Sequence, residues 1–361
     1  FDLAFYPKER GPYNFEYNTG RVNANGNLVN PKQAWGGLMR NIDQTDFETG
    51  NIEFIEFWLQ DPFVNNPGSN GGQLYFQLGN ISEDILNDGK RAYENGLPTI
   101  KNPAIPVDNN TVWGRVPSNP IQVTNAFSND PDDRPYQDVG YDGLTDSLER
   151  SKQSVYLNDV ATTHGTNSPI YKKASTDPSA DNFRNYRDPY YDQQHMGILG
   201  RYKEVNNPHG NSPISDNNTE YINAFTLYPD QEELNRDNTL NEVEEYFQYR
   251  IDLKPFMTVG NEFITDKREV FPKLANGTTR KEHWYLFRIP VNQFQDKVGN
   301  IPDFKSIRFI RMFLTGFEDT VVCRFAKLEL IRNQWRRFSY ETDTTGIFKR
   351  LPANDPVKVD V

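Results

Sequence analysis

The stretch that most constrains this chain is Asn51 to Phe63, NIEFIEFWLQDPF. On a period-2 ladder Ile52, Phe54 and Trp58 fall on one side and Ile55, Phe57 and Leu59 on the other, which reads as a strand buried on nearly both faces. Glu53 and Glu56 interrupt one face each. The pattern recurs at Ser306 to Phe317, SIRFIRMFLTGF, where Ile307, Phe309, Ile310, Met312 and Leu314 repeat the apolar positions. Arg308 and Arg311 stand where Glu53 and Glu56 stood, so the charge sign inverts while the apolar positions persist. Two equivalent strands of one β-structure are expected. As neighbours, their opposite charges would contribute roughly 0.2–1 kcal/mol per pair. The plain alternative is coincidence among aromatic-rich strands.

Composition points the same way. Hydrophobic residues make up 36% of the 361 and aromatics 13%; with aliphatics scarce and Tyr and Phe plentiful, strands are favoured over helices. Gly and Pro number 24 each beside abundant Asn and Asp, which requires many turns and long loops. The length allows one large domain or two to three ordinary ones. A net charge of −11 argues against nucleic acid and anionic lipid as partners. No run of 18 apolar residues is present, so no transmembrane helix is expected. The single Cys323 excludes a disulfide framework within the chain and, in TVVCRFAKLEL, reads as a buried small hydrophobe. Phe1 is not an initiator and no signal peptide precedes it, so the chain reads as a segment of something longer.

Residues 1–33 carry one or two short extended pieces packed by Phe5, Tyr6, Tyr13 and Phe15, and Trp35-Gly36-Gly37 reads as a compact aromatic corner. Gln73 to Leu78 is the next strand. ISEDILNDGKRAYENG predicts a short amphipathic helix capped by Ser82 and stopped by Gly96. Hydrophobic periodicity then fades; Ser147 to Val160 is the best helix there, with Leu148, Val155, Leu157 and Val160 as its apolar positions. Strands return at YFQYRIDL, WYLFRIPV, the second copy and VVCRFAKLELI. The expected fold is mainly β, an antiparallel jelly-roll-like β-sandwich with a long loop-rich insertion. Residues 1–96 would form one half of the sandwich, 97–229 the insertion, 230–337 the other half and 338–361 an exit linker; two β-domains side by side are the alternative.

Two frames suit calcium, a hard cation that takes six to eight oxygens. In Asp138-Val-Gly-Tyr-Asp142-Gly143-Leu144-Thr-Asp146-Ser-Leu-Glu149, carboxylates occupy positions 1, 5, 9 and 12 of a calcium loop, Gly143 the sharp turn, and Leu144 the position that offers a carbonyl. Gly140 at position 3 leaves one ligand out, and an Asp/Gly turn before a helix explains the same residues. The weaker frame sets Glu233, Asn235, Asp237, Asn241 and Glu244 at the oxygen positions, with Asn238 replacing the turn glycine; its competitor is a polar turn before a strand. No cofactor other than calcium is suggested. His164, His195, His209 and His283 lack metal-ligand spacing, and no G-x-S-x-G, phosphate-binding loop or dinucleotide fingerprint occurs. Trp113 or Tyr190–Tyr191 could stack on sugars, which leaves a carbohydrate-binding module of a surface glycan system as a rival function; ordinary packing explains them as well.

Several long motifs resemble one family. FYPKERGPYNF, WGGLMRNI with NIEFIEFWLQDPF, GQLYFQLGNISEDILNDGKRAYENGLP, DVGYDGLTDSLE, YRDPYYDQQ, LNRDNTLNEVEEYFQYRIDL, and VGNIPDFKSIRFIRMFLTGF with RFAKLELIRNQWRR are similar to the SprA (or Sov) family, giant outer-membrane proteins of Bacteroidota needed for type IX secretion and gliding. The resemblance covers most of residues 1–337. It implies a segment of a large β-barrel translocon with no active site, whose partners are the rest of the barrel, its accessory subunits and secreted cargo. Lipid-facing barrel strands alternate over about ten residues between aromatic girdles, unlike the strands here, so a water-exposed domain carried by the barrel is expected. An extracellular position is the first expectation and a periplasmic or lumenal one the second, because long insertions in such barrels face outward.

Overall fold

The computed structural model describes residues 1–11, 17–94, 107–108, 111–117, 130, 132–133, 136–182, 184, 187–203, 232–333, 340–342 and 348–350. Strands are β1 (Asp2–Phe5), β2 (Trp35–Asn41), β3 (Ile52–Gln60), β4 (Gly72–Asn80), β5 (Val107–Asp108), β6 (Val116–Pro117), β7 (Glu245–Leu253), β8 (Ile264–Val270), β9 (Glu282–Pro290), β10 (Asp296–Val298), β11 (Phe309–Thr315), β12 (Val321–Arg332), β13 (Tyr340–Thr342) and β14 (Phe348–Arg350). One five-stranded sheet runs β1-β12-β3-β9-β8 and the other β10-β7-β4-β11-β2, with every pairing antiparallel. Set aside β8 and β10, which extend the sheet edges, and the short pairs β5–β6 and β13–β14. The remaining eight strands then run first-eighth-third-sixth in one sheet and second-seventh-fourth-fifth in the other, the order of a jelly roll. The expected sandwich is present.

Its core is aromatic. Phe57 of β3 stacks on Phe287 of β9 at 5.0 Å, and its ring also meets Phe325 of β12 at 5.5 Å and, across the sandwich, Phe76 of β4 at 5.4 Å. Ile55, Leu59, Leu74, Leu78, Ile251, Ile289, Met312 and Leu314 fill the layer around it. Alternate residues of both sheets point inward, as the pleat requires.

Four expectations need correction. First, β3 is not buried along both faces: Ile55, Phe57 and Leu59 lie in the core, whereas on the other face only Ile52, at the strand's start, is buried, and Phe54 and Trp58 are half-buried under Arg288 and Arg268, whose guanidinium carbons sit 5.2 and 5.1 Å from the ring centroids. Second, β3 and β11 are not neighbours but lie in opposite sheets. Glu56 instead pairs with Arg288 directly opposite on β9 (2.6 Å), and Arg311 bonds Gln77 (2.5 Å) and Glu244 (3.1 Å). Third, Trp35-Gly36-Gly37 is no corner but the start of edge strand β2; a Cβ at Gly37 would overlap Met312 and Phe313 of β11, so glycine permits the close approach. Fourth, residues 81–94 form no helix. Ile81, Glu83, Leu86, Asp88, Ala92, Tyr93 and Glu94 are all buried, a distribution no single helix face can present, and the Ser82 hydroxyl accepts from Asp84 N in a local turn (3.1 Å). Gly96, like Tyr13 and Phe15, lies outside the described residues.

The insertion has a defined stem. β4 and β7 are adjacent antiparallel strands with Asn80 opposite Glu245, so residues 81–244 leave and re-enter the sandwich at one point. Glu83 locks that stem: its carboxylate accepts from Leu234 N (2.9 Å) and Asn241 N (3.1 Å), while Glu83 N bonds the Asn241 carbonyl (2.8 Å) and Asn241 Nδ2 donates to the Ile81 carbonyl (2.6 Å). Burial pushes the Glu83 carboxyl up to about 7.

Beyond the stem lie α1 (Asp146–Lys152), α2 (Ser154–His164), α3 (Pro169–Thr176), α4 (Pro189–Gln193) and α5 (Ile198–Tyr202). The predicted Ser147–Val160 helix breaks at Gln153 into α1 and α2, and Leu148 and Val155 face solvent. Tyr156 and Val160 of α2 pack with Ile170 and Ala174 of α3 and with Val22, giving a second, small core that ties the helices to the N-terminal segment.

Candidate cation centre

The loop from Asp138 into α1 closes on itself through Asp142. Its Oδ1 accepts from Leu144 N (2.9 Å), and Gly143 takes a positive φ of 65° to complete the turn expected at that position. Segment 111–117 clamps the loop from outside: Arg115 N bonds the Asp142 carbonyl (2.9 Å) and Arg115 Nε the Gly143 carbonyl (2.6 Å). Helix α1 then turns Glu149, not Leu148, toward the interior, and Glu149 is fully buried.

A second segment, after α3, meets this loop. Ser179 donates from Oγ to Asp142 Oδ2 (2.6 Å) and from its backbone N to Glu149 Oε2 (3.1 Å), and the Tyr17 hydroxyl bonds the same Ser179 Oγ (3.0 Å). Asp177 accepts from Asp181 N and Asn182 N (3.2 Å each), which coils the segment so that Asp181 enters the loop. Gly140, with φ of 86°, leaves the space: a Cβ there would overlap the Asp181 carboxylate.

The result is two overlapping groups of carboxylates. One oxygen each from Asp142, Glu149 and Asp181 lie within 4.8 Å of one another, and so do oxygens of Asp146, Glu149 and Asp177. Glu149 belongs to both. Burial, reinforced by neighbouring carboxylates, raises Asp142 to about 7, Glu149 to about 8 and Asp181 well above the usual range, and Asp177 is raised too. Such an arrangement can hold a hard cation or share protons. Of the residues expected from the sequence, Asp142, Asp146 and Glu149 converge; Asp138 is buried nearby but outside both groups, and Leu144 contributes its N–H to the turn. Asp177, Ser179 and Asp181 were not legible from loop spacing, since they come from another segment; the only local hint is the polar run DPSAD directly after a helix.

The weaker frame is not wrapped round one point. Asp237 N is bonded by Glu233 Oε1 (2.8 Å) and Asn235 Oδ1 (3.0 Å), Asn241 is held by Glu83 and Ile81, and Glu244 faces Arg311. Asn238 does adopt the left-handed conformation at φ 62°. The expected sugar-stacking residues divide: Trp113 packs on Tyr17 at 5.5 Å and Tyr191 is buried, whereas Tyr190 is exposed beneath Arg184. His283 bonds Glu269 (3.3 Å), His164 and His195 belong to neither carboxylate group, and His209 lies outside the described residues. Among the described residues no helix is long and apolar enough to cross a membrane.

Fold and centre together define a jelly-roll sandwich whose described insertion residues carry a buried acidic centre. Residues 155–354 match the SprA_N family of motility related/secretion proteins, over more than half of the chain, and the chain belongs to that family. No curated protein matches it.

Proposed function

We propose that this chain is a non-catalytic structural and interaction domain of an outer-membrane protein-secretion translocon serving type IX secretion and gliding motility. Family membership gives the broader setting, a motility- or secretion-related protein. The observation that supports the finer reading is the stem at Asn80 and Glu245, from which residues 81–244 branch off a rigid aromatic sandwich. A frame of this kind offers loops to the barrel, to accessory subunits or to passing cargo without moving itself. The domain sits on the extracellular face in this reading, since long insertions of outer-membrane barrels face outward. An antibody raised against the chain tests it on fractionated source cells: a band several times larger than 41.8 kDa in the outer membrane is expected. A soluble or secreted band near the chain's own size would overturn the reading.

One observation favours a second reading, glycan binding. A cleft of about 780 Å³ lies between the β1–β2 edge and the helices, and the exposed rings of Trp35 and Tyr190 line it. Retardation in polysaccharide gels that is lost in Trp35→Ala would support it.

A further inference from the structure

Among the described residues eleven carboxylates are buried and no Lys or Arg is. Ten of the eleven (Glu83, Asp88, Glu94, Asp133, Asp138, Asp142, Glu149, Asp181, Glu232 and Glu233) lie between residues 81 and 244; Glu282 alone belongs to the sandwich. Buried charge of one sign is costly unless something compensates it. Among the described residues no Lys or Arg stands within salt-bridge distance of Asp142, Asp146, Glu149 or Asp177. Two cations that flank the loop donate to carbonyls instead: Lys152 to Thr111 (3.1 Å) and Arg115 to Gly143 (2.6 Å). Glu149 supplies a separate observation. The residue is shared by both carboxylate groups; its Oε2 is satisfied by Ser179 N, but its buried Oε1 takes no hydrogen bond.

We propose that Asp142, Glu149 and Asp181, with Asp146 and Asp177 beside them, bind a calcium ion that staples the loop 138–149 to the segment 177–182. Chemistry selects the cation class. In each group one oxygen per residue lies within 4.8 Å of the others, close enough for all of them to reach a single ion at calcium–oxygen distances of about 2.4 Å. The donor set is all oxygen, with no Cys or His, which suits hard cations over the soft and borderline metals. Calcium accepts six to eight oxygens in flexible geometry, whereas magnesium demands a smaller octahedron and keeps its waters. The site differs from the contiguous loop expected from spacing: Asp138 is left out and Asp181, admitted by Gly140, takes its place. The inference stands independently of the translocon reading.

The whole 361-residue chain, stripped with EDTA and titrated with CaCl₂ in a calorimeter, tests it. One saturable site is expected, with magnesium at least tenfold weaker. Melting should rise by about 5 °C at a hundredfold excess over Kd. Terbium luminescence sensitised through Tyr17, two hydrogen bonds from Asp142, should report the same site and be displaced by calcium. Glu149→Gln and Asp181→Asn should each weaken binding at least tenfold, and Gly140→Ala likewise, while Glu233→Gln leaves it unchanged. If Glu149→Gln fails to fold by circular dichroism, Asp181→Asn carries the comparison. Absence of binding at millimolar calcium with identical melting in EDTA would overturn the proposal. So would wild-type affinity retained in both Glu149→Gln and Asp181→Asn.

Discussion

The sandwich and its insertion solve the same problem with opposite materials. In the sandwich, Phe57, Phe76, Phe287 and Phe325 form a ring cluster between sheets, and charges such as Arg288 and Arg268 stay on outer faces. Among its described residues the insertion has a small apolar core around Tyr156 and Ile170 and buries ten carboxylates. Apolar burial needs no partner beyond shape, whereas each buried carboxylate needs donors or a cation. Stability in the first region is therefore a property of the chain alone. In the second it depends on what the chain binds.

That contrast can be broken at several points. The largest effect belongs to Phe57→Ala, which empties the centre of the ring cluster and should cost about 3–5 kcal/mol in urea unfolding. The loss should be the same with calcium or with chelator. Replacing Asp142 and Asp146 together by alanine removes the Leu144 and Ser179 hydrogen bonds in either condition, but should lower melting by about 5 °C more with calcium present than in EDTA; equal losses in both would erase the distinction between the regions. A third probe is pH. Glu83 titrates near 4.5 when unfolded and near 7 when folded, so the folded state holds its proton more tightly. Its contribution is complete below about pH 4.5 and is lost as pH rises through 7. In chelator, the fall in urea midpoint between pH 5 and 7.5 should be smaller in Glu83→Gln than in the wild type. Smallest is Arg288→Ala, which removes an outer-face pair with Glu56 and a contact with Phe54 and should cost under about 1 kcal/mol, reading the same in both conditions.

Legibility in the sequence followed the same division. β3, β4, β7, β9, β11 and β12 were visible because alternate residues enter one apolar core. β8 was not: of its seven residues only Ile264 is buried, so an edge strand leaves little pattern. Pairing was misread between β3 and β11, because a jelly roll sends most successive strands to alternate sheets and similarity of pattern says nothing about adjacency. In the insertion, Asp142, Asp146 and Glu149 were readable from spacing along one loop. Asp177 and Asp181 reach the same point from beyond three helices, a juxtaposition that only the folded chain creates. The helix expected over 81–96 failed for a related reason: Glu83 and Glu94 occupy buried positions that a period count treats as solvent-facing.

Hydrogen exchange followed by mass spectrometry, on the intact chain with and without calcium, tests the account most directly. Calcium should slow exchange in peptides covering 138–149 and 177–182 while β3, β4 and β9 keep the same slow rates in both conditions. Unchanged exchange in the two loop segments, or slowing spread evenly over sandwich and insertion, would contradict it.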